Sequence, residues 1–220
     1  MRPTNLRIET PPEGHGCRPG HEVVLLASAV EIKAGQLIAE LGSGAGALAL
    51  TLAARFSVQV VGFEIQSELV EAARQNAHLN AGLLCGSVQF ELGDLRRLGG
   101  SAWEGRFDHV FANPPFYRIG QGRRPPRPER AAARHETHAT LEDFVRAAAI
   151  LLRPHGRFHC IFRPERLEEL LELASRYHCP IKIVRPIYTR QGANAKWIIT
   201  SAIKGGRQGL VIASPQEIPR

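Results

Sequence analysis

Alternation constrains this sequence most: short apolar runs of strand-like composition are separated by helical patterns along most of the chain. The runs are Gln36–Leu41, Val58–Ile65, Val88–Leu92, Phe107–Ala112, Arg157–Phe162, Ile181–Ile187 and Lys196–Ile203. Between them, Ala45–Arg55 is almost wholly apolar, as a helix buried against a sheet must be. Ser67–Asn80 opens with a capping serine and Glu68 in its first turn. Thr140 and Asp143 read as a capping box, and Leu141, Phe144, Val145, Ala148, Leu151 and Leu152 follow at helical spacing. Arg163–Tyr177 carries Pro164 in its first turn and turns Leu167, Leu170, Leu171 and Ala174 to one face. Strands alternating with helices imply an α/β fold with a mainly parallel sheet. After Tyr177 the helical signal fades. Tyr188–Ala195 leaves no room for a helix, so the last two runs are expected to pair antiparallel at the sheet edge.

The turn after the first run reads Glu40-Leu41-Gly42-Ser43-Gly44-Ala45-Gly46. Glycines let the chain turn sharply and let a ligand approach the backbone, and the following helix offers free N–H donors. Gly42 to Ala47 also satisfies the G-x-G-x-x-A pattern of dinucleotide sites, with Glu64 placed 22 residues after Gly42 for a ribose hydroxyl. This region alone leaves a nicotinamide dinucleotide and an adenosyl cofactor both open. Glu40 shifts the balance, because a carboxylate there would oppose a pyrophosphate but suits a cationic ligand. Asp94, in Gly93-Asp94-Leu95 after the third run, is placed to accept from an adenine amino group.

The most specific motif is Asn113-Pro114-Pro115-Phe116, directly after Phe107–Ala112. It falls at the carboxyl end of the fourth strand, where open α/β sheets hold their sites. Two prolines stiffen the chain and remove two donors, so carbonyls remain available. Asn113 supplies an amide oxygen and Phe116 a flat ring. An exocyclic amino group on a base needs acceptors for its two N–H bonds and a ring to stack on.

Together these segments resemble class I S-adenosylmethionine-dependent methyltransferases with an Asn-Pro-Pro-aromatic motif, which include adenine-N6, guanine-N2 and glutamine-N5 enzymes. Within them the sequence is most similar to the tRNA1(Val) adenine-N6 methyltransferase family. The likeness rests on Val23–Ser28, Glu40–Gly46, Gly62–Gln66, Asn113–Phe116, Ala131–Glu136 and Ala195-Lys196, and it spans about Gly20 to Lys204. It implies a Rossmann-like, seven-stranded, mainly parallel sheet with an antiparallel edge pair and helices on both faces. It implies one domain over residues 1–204, with an N-terminal extension to about residue 19 and a tail over 205–220. It also implies S-adenosyl-L-methionine as cofactor. Glu40, Gly42, Gly44 and Gly46 would line its methionine side, Glu64 its ribose, and Ile65, Asp94 and Leu95 its adenine. Asn113 would face both cofactor and target, with Pro114 and Phe116 completing the catalytic set. Gly20-His21-Glu22 departs from the family, which often has Asp before this apolar helix.

Charge points toward nucleic acid. The chain carries +7, and of its 28 basic residues 24 are arginine. Arginine suits phosphate and stacks on bases. The stretch from Pro114 to Ala139 holds six arginines against two glutamates, so +4 of the charge sits beside the Asn-Pro-Pro motif. Tyr117, Arg118, Arg123, Arg124, Arg127 and Arg134 are the candidate substrate-binding residues there, and RNA, in particular tRNA, is the expected partner. Guanine-N2 methylation of rRNA, glutamine methylation of protein, and a silent RNA-binding module are the alternatives. His135-Glu136-Thr137-His138 has its histidines three apart, not the four of the zinc motif, and no Cys-x-x-Cys exists, so no metal is expected. Four isolated cysteines fit a reducing cytosol. The N-terminus leads into no apolar signal, and runs such as Val23–Ala27 are too short to span a bilayer. The expectation is a cytoplasmic protein without a membrane partner.

Overall fold

Strand β1 (Leu37–Leu41) lies at the centre of the five parallel strands. It has β2 (Gln59–Glu64) and β3 (Ser87–Leu92) on one side, β4 (Phe107–Ala112) and β5 (Leu152–Phe162) on the other. All these neighbours pair in parallel. The computed structural model describes residues 5–10, 20–115, 139–190 and 192–217. Strand β7 (Trp197–Ile203) then runs antiparallel between β5 and β6 (Ile181–Tyr188), as the short Tyr188–Ala195 connection requires. Seven strands were expected. Two more, β8 (Val211–Ile212) and β9 (Gln216–Glu217), add to β6 from the stretch read as a tail, making nine.

The two-residue alternation of each strand divides the core in two. Ile38, Val60, Phe90 and Phe111 face α1 (His21–Ser28), α2 (Ala47–Arg55) and α3 (Ser67–Leu79). Ala39, Leu41, Phe63, Val110 and Phe158 face α4 (Leu141–Leu151) and α5 (Leu167–Arg176). Helix α2 is buried without interruption from Leu48 to Ala54, which explains its apolar composition. The capping box at Thr140 forms, with each of Thr140 and Asp143 accepting from the other's backbone.

Three boundaries move for local reasons. Helix α2 begins at Ala47, not Ala45, because Gly46 takes a left-handed φ of 85°. Strand β5 begins at Leu152, directly after α4, instead of at Arg157. A wide bulge there holds His155 at φ 62° and brings Gly156 so close that a Cβ would meet the Phe107 carbonyl at 2.9 Å. The span Arg163–Tyr177 is a 3-10 turn, Pro164–Arg166, followed by α5.

Under α1, a polar chain crosses the sheet. His109 Nδ1 lies 2.9 Å from His159 Nε2, and His159 Nδ1 lies 2.8 Å from Ser201 Oγ. Gln36 Oε1, 3.2 Å from His109 Nε2, can only accept, so the proton directions follow. Each histidine donates from Nε2, and Ser201 donates to His159. Both rings are neutral. Burial lowers His109 to about 4, with Arg157 and Arg153 also lowering it against the opposing pull of Asp108. Burial, His109 and Arg157 lower His159 well below the usual range. The unfolded chain therefore binds protons that the folded chain refuses, and stability must fall as pH drops from about 6.5 toward 4. Denaturant midpoints measured across that window are expected to be level above pH 6.5 and to decline below it. A flat profile to pH 4.5 would remove the buried pair as the cause.

Candidate active site

Register gathers the site. Leu41, the last residue of β1, stands beside Phe63 of β2 and Ala112 of β4, and Glu64 stands beside Leu92 of β3. The residues that follow, Gly42, Ile65, Gly93–Asp94 and Asn113, therefore leave the sheet along one edge. The chain's order of strands reverses between β1 and β4, the position where such sheets open a crevice.

Glu64 holds the glycine turn to β2. Its Oε2 accepts from Gly44 N at 2.9 Å, and its Oε1 accepts from Ile65 N at 2.9 Å and Gln66 N at 3.1 Å. Gly42 and Ser43 both donate to the Phe63 carbonyl. Two of the turn's glycines are needed for different reasons. At Gly46, φ 85°, a Cβ would strike the Phe90 ring at 2.6 Å, so this glycine serves packing of α2 and α3 on the sheet. At Gly44, φ 54°, a Cβ would meet no described residue within 4 Å, so among the described residues the backbone here is open to a ligand. Phe144 of α4 lies under Gly42.

Glu40 is buried on β1, and its one hydrogen bond among the described residues is from Ala49 N, 2.9 Å from Oε2. Burial raises its carboxyl to about 8, the Ala49 N–H lowers it, and the Glu64 charge raises it again. Among the described residues this carboxyl has no cationic partner, an arrangement that suits a cationic ligand. Asp94 is otherwise engaged than expected. It caps the 3-10 turn Leu95–Arg97 and holds the Arg96 guanidinium at 2.6 to 3.0 Å, which keeps its carboxyl down at about 2. Its oxygens therefore face Arg96 first, and any adenine amino group would share them. The Leu95 side chain is buried in the core on the α4 face, so only its backbone is available to a ligand. Ile65 is half-buried at the end of β2.

Asn113 is exposed and its amide makes no hydrogen bond to any described residue, while Pro114 behind it is buried. Phe116, Tyr117, Arg118, Arg123, Arg124, Arg127 and Arg134 lie outside the described residues. Sequence reasoning missed three supports: Arg96 beside Asp94, Phe144 under Gly42, and Asn76. Asn76 is fully buried on α3, where it donates to the Ala45 and Glu9 carbonyls and accepts from Glu9 N. With Asn80, which pairs with Arg7 in the same way, it fastens residues 7–9 to the helix. The readable signal was an amide at helical spacing on an otherwise apolar face.

The residues present fit S-adenosylmethionine: an open glycine backbone at Gly44, a buried carboxylate at Glu40, and Glu64 at the end of β2. A Methyltransferase domain model matches residues 38–156. The chain is 34% identical to a tRNA1(Val) (adenine(37)-N6)-methyltransferase of Porphyromonas gingivalis, over 78% of this chain and 68% of the relative. A solved structure described as a predicted O-methyltransferase from Agrobacterium tumefaciens superposes with a TM-score of 0.70 at 25% identity, covering 89% of this chain and 88% of that one. Magnesium protoporphyrin IX methyltransferase from Synechocystis, solved with bound S-adenosylmethionine, shares the fold at a TM-score of 0.53 and 19% identity, over 83% and 76% of the two chains. The fold and the crevice at its strand ends are those of a class I methyltransferase that uses S-adenosylmethionine. Within that class, the chain belongs to the tRNA1(Val) (adenine(37)-N6)-methyltransferase family.

Glu40 gives a test of the cofactor side. A cationic group beside it favours the carboxylate, so the bound state releases a proton that the free protein holds near neutrality. Affinity for S-adenosylmethionine is expected to rise with pH from about 6 and to level off above about 8. Calorimetry in buffers of different ionisation enthalpy should show the released proton, and Glu40→Gln should abolish that component. Equal proton release by Glu40→Gln and the parent would take Glu40 out of the site.

Proposed function

We propose that this protein transfers a methyl group from S-adenosylmethionine to the exocyclic N6 of an adenine in RNA, specifically an adenosine of a tRNA anticodon loop, and that it works in the cytoplasm. The observation that carries the reading is Asn113. Its amide is exposed and makes no hydrogen bond to any described residue, and it opens a stiff double-proline segment one strand from the glycine turn. The tRNA1(Val) (adenine(37)-N6)-methyltransferases to which the chain is similar support the tRNA substrate.

The adenine amino nitrogen is a poor nucleophile because its lone pair is delocalised into the ring. The Asn113 amide oxygen and the Pro114 carbonyl would accept its two N–H bonds and draw the nitrogen toward a tetrahedral shape. Positive charge grows on that nitrogen as the methyl arrives, so the same acceptors bind the transition state more strongly than the ground state. Bound S-adenosylmethionine would supply the methyl from a cationic sulfur that leaves as the neutral thioether, and the methylated nitrogen, acidic while cationic, would release one N–H proton to solvent, so no strong general base is needed. Glu64 and the glycine turn would fix the cofactor while Phe116 stacks on the base, so alignment provides most of the acceleration. An anticodon loop offers bases that leave their stack without melting a duplex. Tyr117, Arg118, Arg123, Arg124, Arg127 and Arg134 would hold its phosphates.

Purified protein, labelled cofactor and unmodified tRNA should yield N6-methyladenosine after digestion. Asn113→Ala should lower kcat by ~10²–10³ with little change in cofactor affinity. N2-methylguanosine would install the guanine reading, and methylglutamine in a protein substrate the protein reading. Full activity in Asn113→Ala would refute the mechanism whatever the product.

A further inference from the structure

We infer that Arg163, Arg190 and Lys196 form a second phosphate-binding rim, on the β5–β7–β6 side of Asn113, that holds the RNA strand flanking the target base. This rests on the RNA reading above. Continuing the strand registers places Arg163 and Lys196 near the transfer site, and Arg190 follows two residues after Tyr188, the β6 position level with Lys196. Ala112 pairs with Cys160 and Phe162 pairs with Ile198, so Pro115 leaves β4 level with Arg163, and Arg163 leaves β5 level with Trp197. At about 5 Å per strand spacing, Arg163 stands one strand, and Lys196 two strands or ~10 Å, from the Asn113–Pro115 segment.

The local chemistry presents these charges to a ligand. The Lys196 ammonium lies 4.0 Å from the centre of the Trp197 ring, and Trp197 is buried. The indole thereby anchors an exposed cation without neutralising it. Arg163 donates to the Lys196 carbonyl at 3.4 Å and meets Glu165 at 3.3 Å. Glu165 is 66% exposed, so that ion pair is weak and a phosphate can displace it. Arg190 and Lys196 are exposed and make no ion pair to any described residue. Residues 189–196 contain two basic side chains and no acidic one. At the other end of the strands, Arg153 is instead paired to Asp108 at 2.7 Å. The rim thus combines guanidinium forks suited to phosphate with a point cation on an aromatic base.

The test uses the full chain and a synthetic unmodified anticodon stem-loop RNA, with binding measured by fluorescence anisotropy across a salt series. Each single-strand phosphate contact contributes about 0.7 to the log–log salt slope, so the triple variant Arg163→Gln, Arg190→Gln, Lys196→Gln should flatten it by about two units. It should raise KM for RNA more than it lowers kcat and leave S-adenosylmethionine affinity at the parent value. Lys196→Arg alone should keep the parent slope, because it keeps the charge. A triple variant with the parent slope and KM overturns the rim. So does a parent protein whose binding ignores salt. A parent that binds with a steep slope but forms no N6-methyladenosine overturns the functional reading instead, and the binding series still decides the rim.

Discussion

Glu64 is the carboxylate on which the site depends. Three backbone N–H groups from two segments converge on it, from Gly44 in the turn after β1 and from Ile65 and Gln66 after β2. A buried carboxylate without such donors would be strongly disfavoured. With them, the glycine turn is bound to the neighbouring strand end at a fixed distance. A carboxylate offers about four acceptor positions, so three backbone donors leave it with roughly one more to offer a ligand. Glu64 is therefore a strut of the turn, and its removal would disturb the turn as well as the proposed contact to a ribose. Glu40, one strand over, feels that charge and keeps its proton to about pH 8.

From this strut the parallel register does the remaining positioning. Helices α2 and α3 lie on one face, and the sheet order β3-β2-β1-β4 lines up the ends of the first three strands, where Glu40, Glu64 and Asp94 stand. The proline segment falls on the fourth. Helix α4, entered through the Thr140 capping box, closes the other face and sets Phe144 beneath Gly42. The antiparallel β7 then carries Lys196 back to the same edge. The glycine turn and the Asn113-Pro114-Pro115 segment are thus adjacent because β1 and β4 are paired, whatever their separation in sequence.

Much of this was legible in the sequence. The seven main strands and the helices announce themselves through apolar runs of the right length, and the Gly42–Gly46 turn and Asn113-Pro114-Pro115 mark where strands end. What was hidden has a local physical cause in each case. Strands β8 and β9 have two residues each, too few to show an alternation. The β5 bulge depends on how Gly156 packs against the Phe107 carbonyl, a long-range contact. Leu95 is expected at the adenine edge, and the 3-10 turn after Asp94 puts its side chain in the core, which leaves the backbone toward a ligand. Arg96 sits two residues from Asp94, a spacing that carries no regular signature, and it engages the carboxylate expected to accept from an adenine amino group. The histidine pair 109 and 159 came together only because β4 and β5 are neighbours.

The central claim is the chemistry at Asn113, and nucleoside mass spectrometry of tRNA from cells with and without this protein tests it most directly. N6-methyladenosine should be present in the tRNA of the parent cells and absent when the protein is removed. It should return on expression of the intact chain but not of Asn113→Ala. An N6-methyladenosine content that is the same in both cell lines, with another methylated nucleoside lost instead, would contradict the account.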